Sequence, residues 1–199
     1  AAHADIEPAE VISLSLAKTQ EAIKAGEDAL NRGFVGVILV AGGQGSRLGF
    51  EGPKGCYNIG PISDASLFEI HSRKILALER KYKARIPFYI MTSTANDKAT
   101  RDFFVQNDYF GLSSDRVMLF VQGMWPALDN SGKIILDAPG HVFVSPDGHG
   151  GILQALRVNG MLDDMKKRGV ETLFYFQVDN PLVEIAEPAF IGLHRTHRA

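Results

Sequence analysis

A chain of 199 residues with 45% hydrophobic residues and a formal net charge of −2 can bury a core and is too apolar to be disordered. This near-neutral charge excludes a protein that coats nucleic acid by charge alone, so we expect no nucleic-acid partner. The single cysteine, Cys56, excludes an internal disulfide, and no apolar run reaches the ~18 residues that span a bilayer. These features predict a cytoplasmic protein with no membrane partner.

The order of apolar and polar residues predicts alternating helices and strands. We expect helices at 16–31, 66–83, 96–107 and 150–161, with a last one starting near 187. Buried strands are expected at 35–41, 87–92, 117–121 and 172–178, and turn residues predict a hairpin over 129–144. This alternation implies an α/β fold, in which a mixed but mostly parallel sheet carries helices on both faces. We expect residues 1–33 to form an N-terminal tail and helix in front of a 34–199 domain.

The stretch 35–58 joins the first strand to a glycine-rich turn and reads VGVILVAGGQGSRLGFEGPKGCYN. Its loop contains three closely spaced glycines and two cations, namely Gly42, Gly43, Gly45, Arg47 and Lys54. Glycines bring backbone amides close to a ligand, and a nest of such amides binds anions, most often phosphate. The turn therefore predicts a phosphate site, and the alternative is a tight turn without a ligand.

Two familiar phosphate-binding templates do not fit this turn. The spacing from Gly43 is one residue longer than the dinucleotide fingerprint G-x-G-x-x-G, and Lys54 lies between Pro53 and Gly55 rather than in a P-loop. The next strand is followed by Thr and Ser at 92–94, where a dinucleotide site would have an acidic residue. An NAD-dependent oxidoreductase is therefore disfavoured.

Polar residues also follow the third and fourth predicted strands. Gln122 comes directly after strand 117–121, and Asp179 ends strand 172–178. In parallel sheets, ligands bind at the carboxyl ends of the strands, so we expect these side chains to share one crevice with the glycine loop. A primary amide matches the uracil edge, and a strand-end carboxylate can hold Mg²⁺ together with phosphate oxygens.

The segment AGGQGSRLG followed by GPKG resembles the signature of the eukaryotic-type UDP-sugar pyrophosphorylases, in particular the UDP-N-acetylhexosamine group. Three further segments match in the same order: VQGMWPA, SPDGHGGILQAL and FQVDNPL. The resemblance implies a Rossmann-like, GT-A-like nucleotide-diphosphosugar transferase fold. It also implies a uridylyltransferase that makes a UDP-sugar and pyrophosphate from UTP and a sugar 1-phosphate. Family members are longer and HRTHRA falls inside a predicted helix, so we expect a fragment truncated at its C-terminus.

The same resemblance implies a role for each candidate residue. Arg47 and Lys54 would be catalytic, and Asp179 would be the Mg²⁺ ligand. The sugar would be contacted by His149 and Asn180. The nucleotide would be contacted by Gly42, Gly43, Gly45, Gln122 and Gly148. Each has a plain structural alternative: an exposed lysine, an Arg47–Glu51 ion pair, a strand-end glutamine bonded to backbone, or a capping residue at His149 and Asp179.

His149 leaves the sugar open. Acetylhexosamine enzymes that this chain resembles generally have Asn at that place, whereas Gly-His-Gly resembles glucose-1-phosphate and broad-specificity members. An alternative function is a nucleotide-binding module that is catalytically incomplete. Of the remaining residues, we expect Trp125 in the core or a pocket wall, residues 163–168 on an exposed helix face, and Cys56 to be no nucleophile.

Overall fold

The computed structural model describes Val11 and residues 19–197. Helix α1 (Gln20–Asn31) begins after Thr19, whose hydroxyl accepts a hydrogen bond from the Ala22 amide at 3.2 Å. This N-cap satisfies one of the amides that have no partner at a helix start. The expected tail and the first residues of the predicted helix, 16–18, lie outside the described residues.

The remaining elements follow the predicted order. The first half of the chain contains β1 (Val35–Val40), α2 (Leu67–Tyr82), β2 (Phe88–Thr92), α3 (Asp97–Gln106) and β3 (Val117–Val121). Short strands come next: β4 (Met124–Pro126), β5 (Leu136–Ala138), β6 (His141–Val142) and β7 (Val144–Pro146). The last elements are α4 (Ile152–Val158), α5 (Met161–Arg168), β8 (Thr172–Gln177) and α6 (Pro188–His197).

The central sheet has four parallel strands in the order β3-β2-β1-β8. Within the described residues, the antiparallel pairs β4–β7 and β5–β6 lie outside this sheet. The expected α/β fold is therefore confirmed, with a central sheet that is parallel throughout. All four carboxyl ends lie at one edge, which positions the loops that follow them.

Helices cover both faces of the sheet, as expected. Side chains alternate along a strand, so Val37 and Leu39 of β1 face one layer while Ile38 faces the other. The first layer contains residues of α1, α2 and α6, among them Leu30, Ile75 and Ile191. The second layer is smaller and contains Leu156 of α4 and Met165 of α5.

Two glycines allow α1 and α6 to pack in direct backbone contact. A Cβ atom at Gly26 would lie 1.8 Å from the Pro188 carbonyl oxygen, and one at Gly192 would lie 1.7 Å from the Ala22 carbonyl oxygen. The helix expected near residue 187 is thus present and packs on α1. The division of the chain at residue 33 stays a prediction.

Two expectations about local structure are wrong. The single helix predicted at 150–161 is broken between α4 and α5, where Gly160 adopts the left-handed φ of 73° that favours glycine. Trp125 lies on β4 and is 68% exposed, because β4–β7 is a two-stranded arm with no third layer over Trp125. The exposed helix face expected in 163–168 is present on α5, where Arg168 pairs with Asp164 at 2.7 Å.

Candidate active site

The glycine loop begins where β1 leaves the sheet. The Ala41 amide still donates to the Met91 carbonyl at 2.8 Å, but within the described residues the Gly42 and Gly43 amides donate to no protein acceptor. The Gly43 carbonyl accepts from the Lys54 amide at 3.0 Å, which folds the second half of the loop back over the first. A Cβ at Gly43 would lie 3.8 Å from Cε of Lys54. Two available amides and an ammonium group therefore lie side by side.

Gly45 differs from Gly42 and Gly43 in that its amide has a partner within the loop. Its amide donates to the Gly52 carbonyl at 2.8 Å, and its carbonyl accepts from the Leu48 and Phe50 amides. A Cβ at Gly45 would lie 2.7 Å from Cδ1 of Phe50. The Gly45 amide is therefore engaged within the loop, and the predicted contact of this residue with a nucleotide, which would have to use other atoms, stays a prediction.

Arg47 lies on a short 3₁₀ turn, Ser46–Leu48, and is exposed. Among the described residues it forms no ion pair, so the alternative pairing with Glu51 is not formed. Its guanidinium is a forked cation at the rim of the glycine loop, where it remains available to an anionic group.

Asn96 supports the glycine loop through its side chain, although no motif in the sequence indicates this role. Its buried amide nitrogen donates to the Ala41 carbonyl at 2.9 Å and to the Gly43 carbonyl at 3.3 Å. Its oxygen accepts from the Ser93 amide at 2.8 Å. The residue was missed because an asparagine directly before a helix is typical of an N-cap, and nothing local in the sequence identifies a distant acceptor.

Gln122 follows β3, and its backbone amide donates to the Thr92 carbonyl at 2.9 Å. Its side chain lies against Gly42, where a Cβ would come within 2.8 Å of Nε2. No hydrogen bond in the described part of the chain engages the Gln122 amide group, so the alternative of a bond to neighbouring backbone is not formed. The amide lines a cleft of about 220 Å³ together with Val40, Gly42, Gly43, Met91, Pro146, Gly148 and His149.

The far wall of this cleft is formed by the segment after β7. Gly148 has a φ of 69°, which favours glycine, and a 3₁₀ turn over His149–Gly151 precedes α4. The His149 imidazole contacts the Tyr175 hydroxyl through Nδ1, with the two rings in an edge-to-face arrangement. Tyr175 of β8 was missed, since only the tertiary fold brings it to His149. The structure therefore brings Gln122, Gly148 and His149 to one cleft.

Asp179 meets Lys54 across the crevice. It follows β8 directly, and its Oδ2 accepts from Lys54 Nζ at 3.0 Å. The side chains are 49% and 25% exposed, respectively, so both remain accessible. The glycine loop and the end of this strand are therefore in contact, whereas a single crevice that also includes Gln122 stays a prediction. Asn180, the next residue, is exposed, and no hydrogen bond among the described residues joins its side chain to His149.

Asp179 is the one carboxylate that the sequence predicts as a metal ligand at this site. The described residues contain no group of three or more His, Cys, Asp or Glu side chains that could hold a metal. Mg²⁺ is commonly bound through one or two carboxylates while phosphates and water supply the other oxygens. Asp179 fits that pattern, because its second carboxylate oxygen is not used by Lys54.

Cys56 lies close to Lys54 in sequence but is not prepared for nucleophilic chemistry. Burial raises the pKa of its thiol to about 12. The thiolate is the reactive form, and it is negligible at neutral pH under these conditions. The expectation that Cys56 is no nucleophile therefore agrees with its environment.

Fold and site together define an α/β protein whose parallel sheet carries, at its carboxyl edge, the Lys54–Asp179 pair and a cleft lined by Gly42, Gln122 and His149. Residues 4–199 match the family model of UTP–glucose-1-phosphate uridylyltransferase, and the chain belongs to this family. The resemblance of the glycine loop and the three later segments to the UDP-sugar pyrophosphorylases is thereby confirmed.

Curated relatives include the UDP-N-acetylglucosamine pyrophosphorylase of Saccharomyces cerevisiae, which is 42% identical over 184 residues. That match covers 90% of this chain and 39% of the yeast protein. UDP-N-acetylglucosamine diphosphorylase 1 of Arabidopsis thaliana is 41% identical, with 85% of this chain and 35% of the plant protein covered. The chain thus spans about two fifths of the length of the curated relatives it matches.

Solved structures agree on the architecture. The UDP-N-acetylglucosamine pyrophosphorylase from Trypanosoma brucei, solved with an inhibitor, superposes with a TM-score of 0.86 at 31% identity. It covers 94% of this chain and 41% of the trypanosomal chain. A UDP-glucose pyrophosphorylase mutant from Leishmania major gives a TM-score of 0.77 at 18% identity, over 96% of this chain and 39% of the other. This second likeness concerns the fold alone.

In the described residues of this chain, no helix has the length and apolarity to cross a bilayer.

Proposed function

We propose that the protein is a uridylyltransferase that makes a UDP-sugar and pyrophosphate from UTP and a sugar 1-phosphate. The observation that carries this proposal is the Lys54–Asp179 pair at 3.0 Å, beside the available amides of Gly42 and Gly43. A triphosphate needs cations, amide donors and a carboxylate that can share a metal ion with it. These groups meet in one crevice at the sheet edge where parallel α/β proteins bind ligands.

The base and ribose would occupy the 220 Å³ cleft. The Gln122 amide can donate to O4 of uracil and accept from N3–H, because it offers both kinds of group. Gly42 supports this role, since the absence of its side chain lets the amide of Gln122 lie flat against the loop. Gly148 would bring its backbone close to the ribose, for the same steric reason.

The reaction proceeds by in-line displacement at the α-phosphorus of UTP. An oxygen of the sugar phosphate forms the new P–O bond while the bond to the β-phosphate oxygen breaks and pyrophosphate leaves. The nucleophile is already an anion, so no general base is needed, and catalysis rests on positioning and charge neutralisation. Lys54 would move from Asp179 to the phosphates, and Arg47 would bind the leaving pyrophosphate. Mg²⁺ held by Asp179 would neutralise phosphate charge when bound.

N-acetylglucosamine 1-phosphate is the sugar phosphate that we propose first. Support comes from the yeast and plant relatives, which are 42% and 41% identical to this chain and carry that sugar in their names. Glucose 1-phosphate is the second candidate, because His149 at the cleft wall is the residue that resembles the glucose-1-phosphate members. Asn180, which is exposed directly after Asp179, stays a proposed contact of the sugar.

Pyrophosphate release tests the proposal directly. The intact protein is mixed with UTP, MgCl₂ and the 1-phosphates of N-acetylglucosamine, glucose or galactose, and pyrophosphate is measured enzymatically. We expect release with the first sugar phosphate, and none when UTP or the sugar phosphate is omitted. Calorimetric binding of UTP without turnover on any sugar phosphate would instead support a nucleotide-binding module.

A cytoplasmic location stays part of the proposal, since a single thiol suits a reducing compartment.

A further inference from the structure

One face of helix α2 binds the backbone on both sides of Asp179. His71 Nε2 lies 2.9 Å from the Val178 carbonyl oxygen, directly before Asp179. One turn further along the helix, Lys74 Nζ donates to the carbonyl oxygens of Pro181 at 2.5 Å and Val183 at 2.9 Å. Three charge-neutral acceptors that flank one carboxylate are thus bound by two side chains of a single helix.

The environment of His71 fixes its bond to the Val178 carbonyl. It is fully buried at 0% exposure, and its ring packs edge-on against Phe176. A carbonyl oxygen only accepts, so Nε2 carries the proton, and burial lowers the pKa of the imidazole, which favours the neutral ring. Among the described residues its Nδ1 has no hydrogen-bond partner. The contact with the Val178 carbonyl is therefore the one hydrogen bond of the His71 side chain among the described residues.

Lys74 binds the turn after β8, residues 179–185, which has few backbone hydrogen bonds of its own. Between 179 and 185, the described backbone hydrogen bonds are two long ones: Asn180 N to Gln177 O at 3.2 Å and Val183 N to Asn180 O at 3.4 Å. The two bonds from Lys74 are shorter than both. A bond from a charged donor is roughly twice as strong as one between neutral groups, so the bonds from Lys74 are the strongest hydrogen bonds to this turn.

The same helix also holds the Lys54 side of the crevice. The Leu67 amide at the start of α2 donates to the Tyr57 carbonyl at 3.1 Å. Gly55 packs so closely on the Phe68 ring that a Cβ there would lie 2.2 Å from Cε2. The first two turns of α2, about 10 Å along its axis, therefore contact both the Lys54 segment and the Asp179 segment.

From these contacts we infer that His71 and Lys74 are positioning residues: through the backbone of 178–183 they hold Asp179 at its distance from Lys54. This inference rests on the proposed function for its effect on turnover, but the positioning itself is a property of the fold. A misplacement of about 1 Å can reduce the rate by ~10²-fold, so loss of the bonds from His71 and Lys74 affects turnover more than it affects substrate binding.

The experiment compares Lys74→Met with Arg73→Met in the intact protein. Methionine keeps the apolar stem of Lys74 and removes its donors, whereas Arg73 is on the same helix and forms an exposed pair with Glu69 at 2.6 Å. Hydrogen–deuterium exchange of peptides covering 178–185 and 172–177 is measured together with kcat, the KM for UTP and the Mg²⁺ concentration for half-maximal rate.

We expect faster exchange in 178–185 but not in 172–177 for Lys74→Met, with kcat reduced by about tenfold or more and the KM for UTP changed by less than about threefold. The Mg²⁺ requirement should rise in parallel. His71→Leu should behave like Lys74→Met, and His71→Gln, which restores an N–H donor, should recover most of kcat.

Two results would overturn the inference: exchange and kcat of Lys74→Met equal to those of Arg73→Met, or exchange that rises equally in both peptides, which indicates general destabilisation. If the unaltered protein shows no turnover at all, the proposed function fails. The exchange comparison still decides the positioning role in that case, so the two failures are distinguishable.

Discussion

The Lys54 ammonium lies 3.0 Å from a carboxylate oxygen of Asp179, although 125 positions separate the two residues in the chain. Both side chains are partly exposed, and ion pairs of this kind contribute only about 0–1 kcal/mol to the free energy of unfolding. Stability therefore gives little reason for the pair. The proposed function supplies a reason, because at this location, beside the available amides of Gly42 and Gly43, each partner could exchange the other for a substrate phosphate or a metal ion.

Gly42 and Gln122 should act as one unit in nucleotide recognition. A methyl group at Gly42 would come within 2.8 Å of the Gln122 Nε2, so Gly42→Ala must displace the amide. We expect Gly42→Ala and Gln122→Leu each to weaken UTP binding about tenfold, which corresponds to ~1.4 kcal/mol, and to reduce discrimination against CTP. Isothermal calorimetry measures both effects.

The double variant provides the control. If Gly42→Ala acts through the Gln122 amide, combining it with Gln122→Leu should add little to the effect of either change, as coupled neighbours are not additive. Full additivity of the two binding losses would mean that the glycine has a separate role, and the recognition argument would be wrong.

Tyr175 should set the orientation of His149. Its hydroxyl contacts Nδ1 of the imidazole, which leaves Nε2 for a ligand in the cleft. We expect Tyr175→Phe to raise the KM for the nucleotide or the sugar phosphate by about fivefold, equivalent to one lost hydrogen bond of ~1 kcal/mol. Steady-state kinetics measures this change, and Tyr109→Phe, a tyrosine that packs on Phe104, is the control. Equal KM values for both variants would remove Tyr175 from the site.

The Glu79–Arg116 pair should be important for stability rather than activity. Arg116 Nη1 donates to Oε1 of the buried Glu79 at 2.6 Å, and the same oxygen accepts from the Ile86 amide at 2.9 Å. Arg116→Met leaves a buried carboxylate without its cation, which typically costs about 3–5 kcal/mol in the free energy of unfolding. Urea denaturation measures the change.

A surface pair serves as the comparison for that measurement. Lys98→Met breaks an exposed i,i+4 pair with Asp102 and should change the free energy of unfolding far less than Arg116→Met does, because solvent screens the exposed pair. Similar values for Lys98→Met and Arg116→Met would show that the burial of Glu79 does not matter.

Cys56 should make stability depend on pH in the alkaline range. Burial raises the pKa of its thiol to about 12, so the folded protein keeps the neutral thiol where the unfolded chain ionises, near pH 9. The contribution of the neutral Cys56 thiol to the free energy of unfolding is therefore fully present below pH ~9 and is lost as the pH rises towards 12. We expect a lower urea midpoint at pH 10 than at pH 8, with a smaller difference in Cys56→Ser.

Alkylation provides a second measurement of the same property. Iodoacetamide at pH 8 should modify Cys56 much more slowly than it modifies the cysteine of the urea-unfolded chain, because only the thiolate reacts. Equal rates in the folded and unfolded protein would contradict the assignment of a high thiol pKa.

Much of the fold could be predicted because buried parallel strands have a simple signature. The predicted ends of β1, β2, β3 and β8 differ from the observed ends by one residue or less. The rule that ligands bind at the carboxyl ends of parallel strands also predicted that Lys54 and Asp179 lie close together. The β4–β7 arm was harder, since an apolar residue such as Trp125 fits the pattern of a core strand whether or not another layer covers it.

The supporting residues could not be predicted for a related reason. His71 and Asn96 are buried polar side chains whose acceptors lie far away in sequence, at Val178 and Ala41. Helical periodicity identifies the face on which such a residue lies but not its partner. Gly45 shows the converse: its place in the motif suggested a ligand contact, whereas the folded loop uses its amide internally.

The most direct test is pyrophosphate release by Lys54→Met and Asp179→Asn, with Lys98→Met and Asp102→Asn as controls on an exposed ion pair away from the crevice. Removing a charge that stabilises the developing phosphates should reduce turnover by about 10²-fold or more, while the controls remain within about twofold of the unaltered protein. All variants should keep the same circular dichroism spectrum. Unchanged turnover in Lys54→Met and Asp179→Asn, beside an active unaltered protein, would contradict the claim that this pair belongs to the transferase site.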